Sequence, residues 1–419
     1  MPFLPSAILG MWFRGLIAVA ILGGSVYLFA RWARELPEPV APVVSESDPR
    51  QIPVQSELPR RSAASFGERL SHWRPGWDRP TAFLSGALLL AIVGTLGRFV
   101  TSPLLFRRLG SDEPHADRQG EIRQIVRPDG TTLEVQIIGP ADAPALVLTH
   151  GWGNDSDAFY YVKKQLGPKF RLVFWDLPGH GRSSSAVNND YGTERLASDL
   201  RAVIEATATQ PVTLVGHSLG GMTVLTLCRL FPELLGSRVA SAVLVHTTYT
   251  NPLRTMSMSG LYSALQKPLI EPLLHLTVWL SPVVWLMNWL SYLNGSAHRS
   301  TARQSFAGTE TRGQLNFASS YTVQTSPAVL ARGALGMLRY DAQDALTRLT
   351  IPVQVIAAES DPVCLPEASQ FMASRIPSAR LETLAPARHL GLMERNQDFS
   401  ALLSAVVATD VPAGQRVPA

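Results

Sequence analysis

The stretch PVTLVGHSLGG, Pro211–Gly221, sets the apolar residues Val212, Leu214 and Val215 ahead of a serine bracketed by Gly216 and Gly220, and runs directly into MTVLTLCRLF, Met222–Phe231. A buried strand that becomes a helix within a few residues brings two backbones close together, and glycines at 216 and 220 remove the side chains that would collide there. Such a turn strains Ser218 and pushes its hydroxyl out above the sheet. The hydroxyl then sits near the first turn of the helix, where unpaired N–H groups and the helix dipole favour negative charge. Serine is a weak nucleophile alone, so a base and an orienting acid are expected elsewhere in the chain.

Outward from this turn, the pattern from Glu121 onward alternates strands and helices. EIRQIVRPDGTTLEVQIIG, Glu121–Gly139, has two extended runs around a Pro-Asp-Gly turn, the signature of a hairpin. Short apolar runs then end in glycine, histidine or aspartate: ALVLTHGWG, RLVFWDLPGHGRS, VTLVGHSLGG, SAVLVHTT and PVQVIAAESD. They read as strands buried on both faces. Helical stretches such as TERLASDLRAVIEATA and GMTVLTLCRLFPELL follow several of them, which predicts an α/β fold, a mostly parallel sheet wrapped by helices. In open sheets of this kind ligands bind beyond the carboxyl ends of the strands, where all of these motifs fall.

The partners that Ser218 needs are found downstream. PVQVIAAESDPVCLP places Asp361 just past a late strand, and ARLETLAPARHLGLMER places His389 after the last one, in the chain order Ser, Asp, His. With the Gly-x-Ser-x-Gly turn, HGWG at His150–Gly153 and DLPGHGRS at Asp176–Ser183, the chain resembles the α/β-hydrolase superfamily from about Glu121 to Val407. The resemblance implies an eight-stranded, mostly parallel sheet with helices on both faces and a helical cap insertion. It also implies that Ser218 attacks an acyl carbon, that His389 takes and returns the proton, and that Asp361 orients the imidazole. The backbone N–H groups of Trp152 and Leu219 would form the oxyanion hole, and the Trp152 ring would wall the acyl pocket. The sequence departs from the family at Arg388, where glycine commonly precedes the histidine, and after it the helical stretch with Glu394 lacks the proline often seen there.

Other polar residues have plainer readings. Asp341 and Asp344 precede the late strand instead of following it, so they are not expected to serve as the acid. His150, His180 and His217 read as structural parts of their loops, with Asp176 and His180 tying the DLPGHG turn together by hydrogen bonds. His246 ends a strand and is placed near the pocket.

The N-terminal third has a different character. GLIAVAILGGSVYLFA (Gly15–Ala30) and TAFLSGALLLAIVGTLG (Thr81–Gly97) lack acidic and basic side chains. At 1.5 Å per residue each spans roughly 24–26 Å, a little short of the roughly 30 Å hydrocarbon layer. Flanking Arg14, Arg31 and Arg98 can close the gap, and Trp12 and Trp32 suit the headgroup level. The runs are therefore read as two transmembrane helices in a multi-pass membrane protein; buried soluble helices, or a cleaved signal peptide for the first run, are the alternatives. Arginines flank both runs on both sides and barely distinguish the orientations; the expectation is a cytoplasmic catalytic part. The proline-rich segment between the runs, ELPEPVAPVVSESDPRQIPVQSELPRRSAASF, is expected to be disordered or extended.

Between SAVLVHTT and IPVQVIAAE lies an insertion, Tyr249 to Leu349, with no Asp, Glu, Lys or Arg from Pro272 to His298 and with Trp279, Trp285, Trp289 and Tyr292 in its apolar stretch. Pro282 interrupts any third span. The insertion is expected to cover an apolar pocket with helices, which in one version also dip into the membrane interface. The organisation is then a first transmembrane helix and flanks (1–34), a loop (35–79), a second transmembrane helix and linker (80–119), a hydrolase core in two parts (120–248 and 350–407) around a cap (249–349), and a flexible tail (408–419).

Bulk properties set the bounds. The chain has 419 residues, 46% of them hydrophobic, enough for a large core, and its net charge of +4 is not gathered into long basic runs, which argues against a nucleic-acid partner. The two cysteines, Cys228 and Cys364, form neither a disulfide framework nor a zinc site by spacing. No metal or organic cofactor is implied, because the sequence has no His-Glu-x-x-His, phosphate loop or Gly-x-Gly-x-x-Gly after a strand. The expectation is a membrane-anchored serine hydrolase whose partners are the bilayer and a small-molecule or lipid-like ester. The alternatives are acyl transfer, perhydrolysis or carbon–carbon bond hydrolysis by the same triad, and a non-catalytic binding or scaffold protein on this fold.

Overall fold

In the computed structural model the described residues are 4–39, 64–105 and 108–410. They fall into two compact units, one made of the chain up to Leu16 together with the chain from Gly97, the other of Ile17–Leu96.

The larger unit is built on eight strands: β1 (Glu121–Val126), β2 (Thr132–Ile138), β3 (Ala145–Thr149), β4 (Arg171–Trp175), β5 (Val212–His217), β6 (Val239–Val245), β7 (Val353–Ala358) and β8 (Ala379–Leu384). They form one sheet in the order β1-β2-β4-β3-β5-β6-β7-β8. The hairpin β1–β2 and the β2–β4 pair are antiparallel, and every pair from β4 to β8 is parallel. Parallel strands need both faces covered, and the sequence supplies this: β5 and β7 are buried at every position. The expected mostly parallel eight-stranded sheet is therefore present.

Sixteen α-helices lie among the described residues. Three precede the sheet: α1 (Leu4–Glu35), α2 (Phe66–His72) and α3 (Arg79–Leu105). The strands are interleaved with α4 (Tyr160–Leu166), α5 (Thr193–Thr207) and α6 (Leu219–Leu230). Between β6 and β7 come α7 (Ser259–Leu265), α8 (Glu271–Trp279), α9 (Ser281–Leu293), α10 (Ser296–Ser305), α11 (Arg312–Gln324), α12 (Pro327–Met337) and α13 (Gln343–Leu346). The chain ends on α14 (Pro366–Arg375), α15 (Gly391–Glu394) and α16 (Asn396–Asp410). The core lies on the two sheet faces. Val147, Val173, Leu214 and Val355 join α5 and α6 on one face; Leu148, Phe174, Val215 and Ile356 join α16 on the other. This alternation is the period-2 geometry of a strand made visible in its packing.

Among the described residues, two helices are long and apolar enough to cross a membrane, over Ile8–Glu35 and Arg79–Leu104. The pair Ser259–Trp279 and Ser281–Leu293 is bent by 97° at its break, as Pro282 at the start of α9 foreshadows. Within the smaller unit, the Ser25 hydroxyl donates to the Ala87 carbonyl at 2.8 Å, joining the two long helices. The segment between them is partly helical: Ser65 and Glu68 form a capping box at the start of α2. Residues 40–63 of the expected loop lie outside the described residues, as do 411–419 of the expected tail.

The first turns of α1 belong with the larger unit. Trp12 Nε1 donates to Thr277 Oγ1 at 3.0 Å and Arg14 Nη1 to Ser300 Oγ at 2.9 Å. Gly97 of α3 leaves no room for a side chain, since a Cβ there would lie 2.6 Å from the carbonyl oxygen of Asn294. The chain thus departs at Leu16 and returns at Gly97 beside the helices inserted between β6 and β7.

Candidate active site

The turn from Gly216 to Gly220 joins β5 to α6. Ser218 has φ 55° and ψ −117°, a left-handed value that costs a non-glycine residue about 1–3 kcal/mol and is held by its surroundings. The Ser218 N–H donates to the Val245 carbonyl at 2.9 Å, and its own carbonyl accepts from the Thr247 hydroxyl at 2.6 Å. The flanking glycines are sterically required. A Cβ on Gly216 would lie 2.5 Å from the backbone of Gly220, and one on Gly220 would lie 2.1 Å from the carbonyl oxygen of Thr149.

The loops after β7 and β8 bring Asp361 and His389 to this hydroxyl. Ser218 Oγ lies 3.0 Å from His389 Nε2, and His389 Nδ1 lies 2.8 Å from Asp361 Oδ2. The carboxylate is buried, and its other oxygen accepts from the N–H groups of Val363 at 2.7 Å and Cys364 at 3.2 Å. A carboxylate fixed in this way selects the Nδ1–H tautomer and leaves Nε2 as an acceptor facing the hydroxyl. The arrangement can take a proton from Ser218 as the oxygen attacks an electrophilic carbon.

Trp152 follows the end of β3 and lines a cavity together with Ser218 and His389. The N–H of Leu219 opens α6, where no carbonyl lies one turn behind it in the helix. Among the described residues neither the Leu219 N–H nor the Trp152 N–H makes a hydrogen bond. Of the two residues, Trp152 is among those that line the cavity. The cavity has an empty volume of about 550 Å³, and Met222, Pro252, Met256, Met337 and Val363 give it apolar walls.

The remaining histidines divide into two pairs. His150 Nε2 accepts from the Leu177 N–H at 3.0 Å and His180 Nε2 accepts from the Gly153 N–H at 3.1 Å, stitching the HGWG loop to the DLPGHG loop. Burial drives both below the ordinary histidine range, His180 to about 3, so they act as neutral rings. Asp176 joins the same loops, accepting from the Ser156 N–H at 2.8 Å and the Arg182 N–H at 2.9 Å. Arg118, unremarked in the sequence, lies 3.3 Å from Asp176, 3.5 Å from Asp157, 3.7 Å from Glu134 and 3.9 Å from Asp155. Burial, with Asp176 and Asp157 close by, raises Asp155 to about 6 despite this cation.

His217 and His246 both reach the backbone carbonyl of His389, through Nε2 at 2.9 Å and Nδ1 at 3.1 Å respectively. Both are buried and driven down by that burial, His246 to about 4 and His217 well below its ordinary range. His246 was expected near the pocket; it sits behind His389, while His217 is among the cavity's walls. Arg388 points away, its guanidinium on the carbonyl of Arg303 in α10. Glu394 accepts from the N–H groups of Ala307 and Thr309, both at 2.9 Å. Asp341 and Asp344 stand apart from the site, Asp341 capping Gln343 and Asp344 facing Arg348. No cluster of three or more histidine, cysteine or acidic residues suited to a metal is found among the described residues.

With this geometry in place, comparison with known proteins is informative. Residues 144–396 match the family described as alpha/beta hydrolase fold. The chain is 25% identical over 287 residues to 3-oxoadipate enol-lactonase 1 of Acinetobacter baylyi, covering 68% of this chain and 96% of the relative. It is 27% identical over 255 residues to a putative carbamate hydrolase of Pseudomonas savastanoi, covering 59% and 88%. Among solved structures, an esterase of Thermogutta terrifontis superposes with a TM-score of 0.57 at 20% identity, covering 70% of this chain and 99% of the esterase; at that identity the likeness speaks for the fold.

Proposed function

The chain belongs to the alpha/beta hydrolase fold family, and from that premise we propose that it is a membrane-anchored serine hydrolase that cleaves apolar carboxylic esters through an acyl-enzyme on Ser218. The observation that carries this reading is the relay of 3.0 Å from Ser218 Oγ to His389 Nε2 and 2.8 Å from His389 Nδ1 to Asp361 Oδ2.

In this mechanism the Ser218 oxygen bonds to the ester carbon as its proton passes to His389 Nε2. The carbonyl oxygen becomes an oxyanion facing the N–H groups of Leu219 and Trp152, whose hydrogen bonds strengthen as charge develops. Asp361 stabilises the imidazolium through Nδ1–H. The carbon–oxygen bond to the alcohol then breaks and His389 protonates the departing alkoxide. Water attacks the acyl-enzyme by the same route, releasing the acid and restoring the Ser218 hydroxyl.

The apolar walls of the cavity favour an apolar acyl group. The helices between β6 and β7 act as a cap that rests on a bilayer. Trp279 is 78% and Trp289 44% exposed, with Val283 and Leu286 also exposed between them. Tryptophan at an apolar surface suits the membrane interface, and the two candidate spans leave and rejoin the larger unit beside these same helices. Such a cap lets an ester move from lipid to Ser218 without full transfer through water.

Hydrolysis of p-nitrophenyl esters of increasing acyl length by the purified full chain tests the reading. Turnover that rises from acetate to medium chains and is lost in Ser218→Ala is expected. Turnover confined to the acetate, or equal in the variant, contradicts it.

A further inference from the structure

A second apolar pocket shares Trp152 with the cavity around Ser218. Its walls include Ile8 and Met11 from the first turns of α1, Leu330 and Ala331 from α12, and Trp152; its empty volume is about 410 Å³. Trp152 lines both pockets and is held by a hydrogen bond from Nε1 to the Leu330 carbonyl at 3.0 Å. Four polar side chains interrupt the apolar lining; the hydroxyls of Thr277 and Thr322 donate to the carbonyls of Leu273 and Ser319, which leaves Arg14 and Asn288. Arg14 reaches the pocket from α1; its Nη1 donates to Ser300, but its Nε is shut off from solvent and has no hydrogen-bond partner. Asn288 of α9 is 3% exposed and lines the same pocket, and its side-chain amide makes no hydrogen bond among the described residues. No carboxylate lies within ion-pair distance of Arg14 among the described residues.

A guanidinium removed from water without a counter-ion is costly, and so is a buried amide with unused donors. Both side chains line a pocket whose remaining walls, Thr277 and Thr322 aside, are apolar. Its chemistry therefore matches a molecule with one anionic group and a hydrocarbon body. An arginine fork suits a planar carboxylate, which can accept from the guanidinium on one edge and from the Asn288 amide on the other oxygen. A phosphate dianion would call for more than one cation, and Arg14 is the only cationic side chain among the residues that line the pocket.

We propose that this pocket is a binding site for the carboxylate of an apolar acid, a fatty-acid anion, with Arg14 and Asn288 holding the carboxylate and Ile8, Met11, Leu330 and Trp152 packing on the chain. The site does not depend on the role given to Ser218. It does place a carboxylate receptor that shares Trp152 with the cavity where an ester would be cleaved to an acid, and it makes the first turns of α1 a wall of that receptor as well as the start of a membrane helix.

The test uses the full chain carrying Ser218→Ala, so that binding is read without turnover, in uncharged detergent micelles. Binding of decanoate labelled with carbon-13 at the carboxyl is followed by its shift, beside decanol and decyl phosphate. Saturable decanoate binding is expected, weakened roughly 10- to 100-fold by Arg14→Gln, less by Arg14→Lys, and also weakened by Asn288→Leu, with decanol binding more weakly and responding less. Thermal unfolding of each variant identifies any that misfold, and the Asn288→Leu result then stands in for a misfolded Arg14→Gln. Equal loss of decanoate and decanol, or no loss for decanoate in either variant, overturns the proposal. Tighter binding of decyl phosphate than decanoate with the same Arg14 dependence overturns the carboxylate assignment. If fluorophosphonate fails to label Ser218 in the parent protein, the hydrolase reading falls while this binding result is unaffected.

Discussion

The imidazole of His217 donates from Nε2 to the backbone carbonyl of His389 at 2.9 Å, so the residue next to Ser218 grips the main chain of its proton acceptor. His246 donates to the same oxygen from the end of β6 at 3.1 Å. Two neutral rings thus fix where the His389 backbone lies relative to the Ser218 turn. Neither touches a reacting atom, so both are positioning residues. His217→Phe keeps a planar ring and removes the donor. It is expected to lower kcat roughly 10-fold for a short ester while KM stays within about twofold, because the loss falls on alignment and not on ester binding. An unchanged kcat, or a change confined to KM, would show that the carbonyl needs no such grip.

The glycines of the turn carry a stability prediction. Gly220→Ala directs a methyl group to within 2.1 Å of the Thr149 carbonyl oxygen, and both partners are backbone of packed elements that cannot rotate aside. Loss of several kcal/mol is expected, seen as a large fall in the thermal midpoint or failure to accumulate folded protein. Gly260→Ala, where a Cβ meets nothing within 4 Å, serves as the matched control. Equal stability of the two variants would mean that β5 and α6 do not close as described.

Acid should destabilise the protein through its buried histidines. His246 titrates at about 4 and His180 at about 3 when folded, both below the ordinary value near 6.5. Between those values the unfolded chain binds the proton and the folded chain does not, so stability falls as pH drops from about 6.5, by roughly 3 kcal/mol for His246 alone on reaching pH 4. Asp155, raised to about 6, acts in the opposite sense between about 4 and 6 and offsets part of the loss. The expected net result is a thermal midpoint that declines from pH 7 to pH 4.5, less steeply in His246→Gln. A midpoint that is flat or rises over that range contradicts the neutral-ring assignment.

Membrane anchoring is checked by alkaline carbonate extraction of membranes containing the full chain. Retention in the pellet is expected from the two long apolar helices. Release into the supernatant would refute two integral spans and with them the placement of the cap on lipid.

Much of this was legible in the sequence because local constraints speak loudly. The strand pattern of β3 to β7 follows from continuous burial, and the Ser218 turn is written in Gly216 and Gly220 because only glycine fits where two backbones meet. Asp361 and His389 could be picked out because both stand just beyond strands in an order fixed by topology. What stayed hidden depends on the tertiary arrangement alone. Nothing around His217 or His246 signals that both converge on a carbonyl 172 and 143 positions away. Arg118 precedes the first strand as one arginine among many, and only folding surrounds it with four carboxylates. Arg14 read as a membrane flank, because an arginine ahead of an apolar run has that meaning until a cap helix is found packed against it.

The most direct test of the central claim is covalent. A fluorophosphonate probe reacts with a serine only when a base activates it and an oxyanion site receives the phosphoryl oxygen. Mass spectrometry of the labelled full chain is expected to place the adduct on Ser218, with labelling abolished in Ser218→Ala and slowed by orders of magnitude in His389→Ala. An adduct on another residue, or labelling that persists in Ser218→Ala, would contradict the account.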